Sequence, residues 1–416
     1  LKLVQDPAFK GKRVSTTNGK ELQHTKCIKC GQCTLVCPTK ALREKDAVDD
    51  VRAVLQNPGN KIITCEVAPA IRVNLADALG MPAGTVITGK LVTALKKLGF
   101  THVFDTNWGA DMTIVEEASE LVSRIKNNET LPMFTSCCPA WINYVEESAP
   151  KLIPHLSTVK SPMGMLAATL RNDFAKLQKV KPQDIYHVAI MPCTAKKDEI
   201  ERKQLYTKDG VKETDKVVTT RELAQWIKDA KINLKSLPDT PFDSVYGEST
   251  GAGTIFCNSG GVMEAAIRSA YKFYTGHEMK DVNVPAVRGV QDGIKYAVVD
   301  FDGLPIHFAV AQGIANAMNL IKKIENKDPA VKDLKFIEVM ACPGGCVCGG
   351  GSTRAKTKKA MQKRVDAVYE LDREMPERVS HKNHELNECY DRTYEGHYFS
   401  HSAHHDLHTH HKPQVY

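Results

Sequence analysis

The chain lacks any apolar run approaching the roughly 18 residues that a membrane-crossing helix needs, which excludes a helical span. It opens LKLVQDPAFKGKR, with neither the charged-then-apolar pattern of an export signal nor an initiator Met. We therefore expect the numbering to begin inside a longer gene product. A dominant charge is also missing. Lys and Arg number 56 against 49 Asp and Glu, a net +7, which falls short of a nucleic-acid binder's charge block but suffices to attract an acidic protein partner. No internal repeat is present. The single Gly-rich stretch lacks the Gly-Lys-Ser/Thr of a phosphate loop. Cysteine is sparse at 13 of 416 residues, about 3% against the roughly 8% of a disulfide scaffold. Hydrophobic and charged fractions of 42% and 25% exclude wholesale disorder, and the length allows two or three domains.

What cysteine there is comes in clusters. Four lie in 27–37, two are adjacent at 137 and 138, one is at 193 and three lie in 342–348, while Cys65, Cys257 and Cys389 stand alone. Tight clusters without an export signal read as metal ligation in a reducing compartment.

Residues 1–26 show no clear period and read as loop or stub. From about 61 onward short apolar runs alternate with longer amphipathic stretches. IITCEV (62–67), HVFDT (102–106), MFTSC (133–137), HVAIM (187–191) and KFIEVM (335–340) read as buried strands. Between them, one helix is expected from Asp111 as N-cap and another from Ser161 with Pro162 at its first position. The alternation predicts an α/β fold with a mostly parallel sheet. Residues 296–311 add a hairpin turning at Asp302-Gly303. The His-rich tail from about 380 reads as irregular. Three cysteine clusters fall where expected strands end, and ligands in open α/β sheets gather at the carboxyl ends of strands. One shared site built from distant segments is the expectation.

Cys27, Cys30, Cys33 and Cys37, followed by Pro38, form the C-x2-C-x2-C-x3-C-P run of bacterial ferredoxins, in which thiolates hold a [4Fe–4S] cluster and the fourth cysteine serves the other cluster of two-cluster folds. A zinc site is the alternative, but it favours two separated C-x2-C pairs. No second quartet lies upstream. In TSCCPAW (135–141) two adjacent cysteines on extended chain point opposite ways, so one can ligate while its neighbour offers a free thiol; two buried cysteines serving as small hydrophobes is the alternative. MPCTAKKDE (191–199) sets Lys196 three residues after Cys193, where it could hold an anion or be solvated. ACPGGCVCGGG (341–351) surrounds Cys342 and Cys346 with glycines that permit close approach of a bulky group.

Together with VAPAIR (67–72), GADMTIVEEASELV (109–122), VVTTRELA (217–224), ESTGAGTIF (248–256), SGGVMEAAIRS (259–269), SHKN (380–383) and LHTH (407–410), these segments closely resemble the [FeFe]-hydrogenase catalytic domain over about nine-tenths of the chain. The resemblance implies a two-lobed α/β catalytic domain with mixed sheets flanked by helices. A ferredoxin-like segment (1–45) precedes it; the catalytic domain covers 46–370 and a small-subunit-like tail 371–416. It implies an H-cluster, a [4Fe–4S] cubane joined to a diiron unit bearing CO, CN⁻ and a bridging dithiolate, besides at least one further [4Fe–4S] cluster. The cubane ligands fall on Cys138, Cys193, Cys342 and Cys346, with Cys346 bridging. Lys196 matches the position that donates to a cyanide, Ala68, Pro69 and Pro192 supply nearby backbone, and Met191, Met340 and Phe256 match wall positions. Cys137 matches the proton-relay thiol, continued through Glu117, Ser157, Glu120 and Arg124; residues 117, 120 and 124 share one helix face. Ala140 stands where many members have glycine, Cys348 adds a thiol expected to be a spectator, and Met163 occupies a variable position.

The resemblance implies reversible 2H⁺ + 2e⁻ ⇌ H₂, with ferredoxin as electron carrier, H₂ and protons as substrates, and maturation proteins supplying the diiron unit. It implies neither a nucleic-acid nor a membrane partner, and it places the protein in the cytoplasm of an anaerobe or in an anaerobic organelle. A sensory hydrogenase and a catalytic subunit of an electron-bifurcating complex are the alternatives. A non-catalytic iron–sulfur assembly relative would lack the relay set that is present here.

Overall fold

The computed structural model describes the chain except residues 7–10, 17–18, 292 and 415–416. Two four-stranded sheets dominate it. The first contains β3 (Ile62–Val67), β4 (His102–Asp105), β6 (Ile185–Met191) and β7 (Lys216–Thr219), all parallel, in the order β4-β3-β6-β7. Buried on both faces, these strands read as continuous apolar runs. In the second, β5 (Met133–Phe134) and β9 (Leu304–Gln312) lie parallel to β10 (Leu334–Met340), while β8 (Gly293–Phe301) pairs antiparallel with β9, giving the order β5-β10-β9-β8. The hairpin turns at Asp302-Gly303, whose φ angles of 53° and 93° are what a two-residue turn between right-twisted strands requires. Each sheet carries its own apolar core, so the α/β architecture has two lobes, with mixed strand directions confined to the second.

Four expectations are corrected. Residues 1–26 are not all loop: β1 (Lys2–Asp6) and β2 (Gly11–Ser15) form an antiparallel ribbon, too short for a period to show in sequence. The expected strand 133–137 stops at Phe134. Thr135 still donates to Ile337 O at 3.0 Å, but the chain must then turn into the helix Pro139–Ser148, entered on proline. Asp111 caps nothing; the helix spans Thr106–Lys126 and its cap is Asp105, which accepts from Asn107 N. Asp111 lies inside it, fully buried, because Thr250, Ser380 and Asn383 donate to its carboxylate. The tail is ordered, with helices His384–Thr393 and His401–Leu407. Their Leu386, Cys389, Tyr390, Ala403 and Leu407 join a core with Trp108 and Met112. Those apolar residues sit at helical spacing, diluted among histidines.

The Ser161 helix forms as expected: its hydroxyl accepts from Gly164 N, and Pro162–Thr169 continues through a π-turn, Leu170–Phe174, into Ala175–Leu177. The expected 370/371 boundary falls inside the helix Lys358–Glu374.

Candidate metal-cluster site and proton relay

Strands from both sheets run out at one place. β3 leads to Ala68 and Pro69, β6 to Pro192 and Cys193, β5 to Cys137 and Cys138, and β10 to Ala341 and Cys342. They enclose an apolar cavity. Cys137, Cys138, Cys193, Cys342 and Cys346 all line it, with Lys196, Ala68, Pro69, Met191, Pro192, Phe256 and Met340. The cavity also takes in Cys30, Thr106, Met163 and Cys257, which sequence reasoning did not place there. Cys257 had looked isolated, yet its neighbour Phe256 was already a wall position. Its carbonyl accepts from Cys346 N at 2.7 Å, an approach open because Gly345 has φ 88° and no Cβ to strike Cys257 O.

Burial pushes the Cys193 thiol up to about 12, and raises Cys138, Cys342 and Cys346 as well. Cys138 raises Cys193, and both raise Cys342 and Cys346, so four thiolates coexist here only around a group of high positive charge. Among the described residues, no three His, Cys, Asp or Glu side chains converge as ligands of one ion would. Thiols spread around a cavity suit an iron–sulfur cluster, whose irons are distributed, better than a single zinc ion.

Lys196 donates to Ser161 Oγ at 2.7 Å and pairs with Glu199 at 2.6 Å. Burial opposes its charge, but Glu199 outweighs burial and raises its pKa. Two of its three N–H groups are thus spoken for, and the ammonium remains at the cavity wall.

Behind Cys137 lies the acidic stripe of the helix Thr106–Lys126. Burial, then the Glu117 carboxyl, push the Cys137 thiol well up. Glu117 is itself buried, and both its oxygens lack a hydrogen-bond partner. Burial and then Glu120 raise it to about 8. Ser157 lies beside it but donates to Glu120 Oε2 at 2.9 Å. Arg124 grips Glu120 Oε1 at 2.6 Å and reaches the carbonyls of the exposed Thr130 and Pro154. The five residues form an ordered line from cavity to surface.

Cys27, Cys30 and Cys33 line a second cavity beside the helix Gln32–Val36. Cys30 lines both cavities. At Cys37 the Leu42 N–H and Thr39 hydroxyl close on the sulfur and lower its pKa. The glycines of 349–351 permit an approach, as expected, but of protein rather than ligand: a Cβ on Gly350 would overlap the Cys30 carbonyl. Arg221 clamps the same joint, bonding Glu44 at 2.6 Å, Thr34 at 2.9 Å and the carbonyls of Gly350 and Ser352.

Residues 61–350 match the iron-only hydrogenase large subunit, C-terminal domain. The chain belongs to the iron-only hydrogenase family. Residues 358–414 match the iron hydrogenase small subunit and 22–43 a 4Fe-4S binding domain. Among relatives, the NADP-reducing hydrogenase subunit HndD of Solidesulfovibrio fructosivorans is 41% identical, over 94% of this chain and 66% of its own length. Iron hydrogenase 1 of Clostridium pasteurianum is 43% identical, over 85% and 61% respectively. The chain thus spans somewhat under two thirds of these relatives' length. A solved structure of a variant of the [FeFe]-hydrogenase HydA1 from Chlamydomonas reinhardtii superposes with TM-score 0.78 at 39% identity, covering 88% of this chain and 98% of that one. A cytosolic Fe-S cluster assembly factor, narfl of Xenopus tropicalis, is 30% identical over 84% of this chain and 76% of its own. The cysteine set of this hydrogenase-family chain fits the cluster chemistry of the family: buried soft thiolates for a cubane, and an apolar chamber with one cation for an anionic, CO-bearing unit.

Proposed function

We propose that the chain interconverts dihydrogen with protons and electrons, 2H⁺ + 2e⁻ ⇌ H₂, at an H-cluster in the main cavity. Cys138, Cys193, Cys342 and Cys346 would hold the cubane, Cys346 bridging to the diiron unit, and the 27–37 cysteines a further [4Fe–4S] cluster. When bound, the diiron unit supplies the open iron at which dihydrogen is made or split. Lys196 would donate to a cyanide, while Met191, Met340 and Phe256 exclude water around it.

Glu117 carries this reading. It is a fully buried carboxyl with no protein hydrogen-bond partner, raised to about 8. At neutral pH it holds its proton, yet it sits close enough to that pH to give and regain one. Its neighbours complete a line from Cys137 at the cavity wall through Ser157 and Glu120 to Arg124. An assembly factor needs no such device. Cys30, shared between the two cavities, gives electrons a short way in. Lys20, Lys26 and Lys40 are exposed around that entrance, a surface suited to an acidic ferredoxin. Maturation proteins would supply the diiron unit. The name of HndD, a subunit of an NADP-reducing enzyme, favours one second reading: a catalytic subunit of a bifurcating assembly with the same chemistry and other electron partners.

The test is hydrogen evolution from reduced methyl viologen by cofactor-loaded protein, wild type against Cys137→Ala. We expect activity that falls by about 10²-fold or more in the variant, the scale of a lost proton-transfer group. A loaded wild type with no activity would sink the proposal.

A further inference from the structure

The relay has a side branch that the reaction as proposed does not use. On its far side Glu120 accepts from Thr158 N at 3.0 Å and from Thr158 Oγ1 at 3.3 Å. That same hydroxyl lies 2.7 Å from His408 Nδ1, and His408 Nε2 lies 3.0 Å from Glu116 Oε2. All four residues are buried or half-buried. Glu116 also accepts from the Tyr390 hydroxyl at 2.5 Å and from Phe399 N at 3.0 Å. Surrounded by donors, it fixes the hydrogen of neutral His408 on Nε2, leaving Nδ1 as an acceptor. The arrangement is a carboxylate, an imidazole and a hydroxyl in line, aimed at the relay acid.

We infer that His408 is a positioning residue that controls the protonation of Glu120 through Thr158, an inference that rests on the relay reading above. A threonine hydroxyl has one hydrogen and two acceptors compete for it. While His408 is neutral, the hydrogen lies toward Nδ1, and Thr158 Oγ1 is free to accept from a protonated Glu120. When Glu120 gives its proton to Thr158 Oγ1, Thr158 passes its own to His408 Nδ1. One O–H bond breaks on Glu120, one is exchanged on Thr158, and one N–H forms, leaving a carboxylate and an imidazolium. Glu116 balances the new charge on His408. Other charged groups at the histidine are His404, on the helix that His408 follows and with ring centroids 4.3 Å apart, and His410 beyond it; Arg124 holds Glu120 from the opposite side and Glu117 lies beside it.

The test compares Thr158→Val, Thr158→Ser and His408→Gln in the loaded enzyme, reading the pH profile of hydrogen oxidation, which needs Glu120 free to accept a proton. Thr158→Val removes a donor to the carboxylate, so the acid-side midpoint moves up by about one pH unit, and Thr158→Ser restores it. His408→Gln keeps an N–H for Glu116 but takes no proton. The proton of Glu120 then has no imidazole to reach, its carboxylate loses the balancing cation, and the midpoint moves up as in Thr158→Val. Upward shifts in both variants, with Thr158→Ser restoring the midpoint, support the inference. Unmoved midpoints with a uniform loss of rate overturn it and leave the tail as an anchor. The carboxyl infrared band of Glu120, identified by its loss in Glu120→Gln, is titrated in full chain carrying only iron–sulfur clusters. If that band moves in Thr158→Val while the loaded enzyme is inactive, the coupling stands and the hydrogenase reading fails. A band that stays put refutes the coupling whatever the activity.

Discussion

Replacing Glu117 by Gln separates what this residue does for the reaction from what it costs the fold. The carboxyl rises from an ordinary 4.5 to about 8 in the folded chain, burial first and Glu120 second. Its folded state therefore holds the proton more tightly than its unfolded state. As pH climbs from 4.5 toward 8, unfolding gains a proton-release advantage and stability falls; above 8 the loss is complete. At pH 7 the interval is 2.5 units, worth about 3 kcal/mol at 1.36 kcal/mol per unit. Gln has the same shape and no proton to lose. The variant is thus expected to be as stable as wild type near pH 5 and more stable at pH 8, where the full shift from 4.5 to about 8 is lost, by about 5 °C in Tm for a chain of this length. Hydrogen turnover should collapse in the same variant. Anaerobic thermal unfolding of both proteins, matched in iron content, at pH 5, 7 and 8 reads the effect. A Tm difference that is negative at pH 8, or that does not grow with pH, would refute the argument that Glu117 is buried without compensation.

Two further outcomes follow from contacts elsewhere. Asp111→Ala leaves Thr250, Ser380 and Asn383 without their buried acceptor, a loss of about 3 kcal/mol; limited proteolysis should then cut first within 380–414, with Asp111→Asn milder. Arg221→Ala strips Glu44 of its cationic partner and frees the carbonyls of Gly350 and Ser352, a local cost of about 3 kcal/mol. We expect activity driven by a protein electron carrier to drop well below activity driven by methyl viologen, and equal losses would count against a joint at Arg221.

Much of the site was legible because its chemistry is local. The 27–37 cysteine run, the adjacent pair Cys137 and Cys138, and the cysteines following β6 and β10 are short motifs whose meaning survives outside the fold. β3, β4, β6 and β10 announced themselves as apolar runs because both faces are buried, whereas the four-residue β7 at the sheet edge did not. Three features misled. Asp111 looked like a cap because it precedes a helical pattern, yet its role is set by Thr250, Ser380 and Asn383, more than a hundred residues away. The tail looked irregular because its histidines hide a helical spacing that matters only once Trp108 and Met112 are there to receive it. Cys257 looked isolated, though the fold sets it in the wall of the main cavity.

By itself the sequence determined the donor atoms: which thiols, carboxyls and ammonium the chain has to offer, and on which strand ends and helix face they fall. Only the tertiary structure decided their environment. Two sheets from separate lobes must meet before four thiols share a cavity, before Glu117 is cut off from water and its pKa climbs, and before His408 from the far end of the chain reaches Thr158. Burial and electrostatic coupling are properties of distance in space, and a linear order of residues does not contain them.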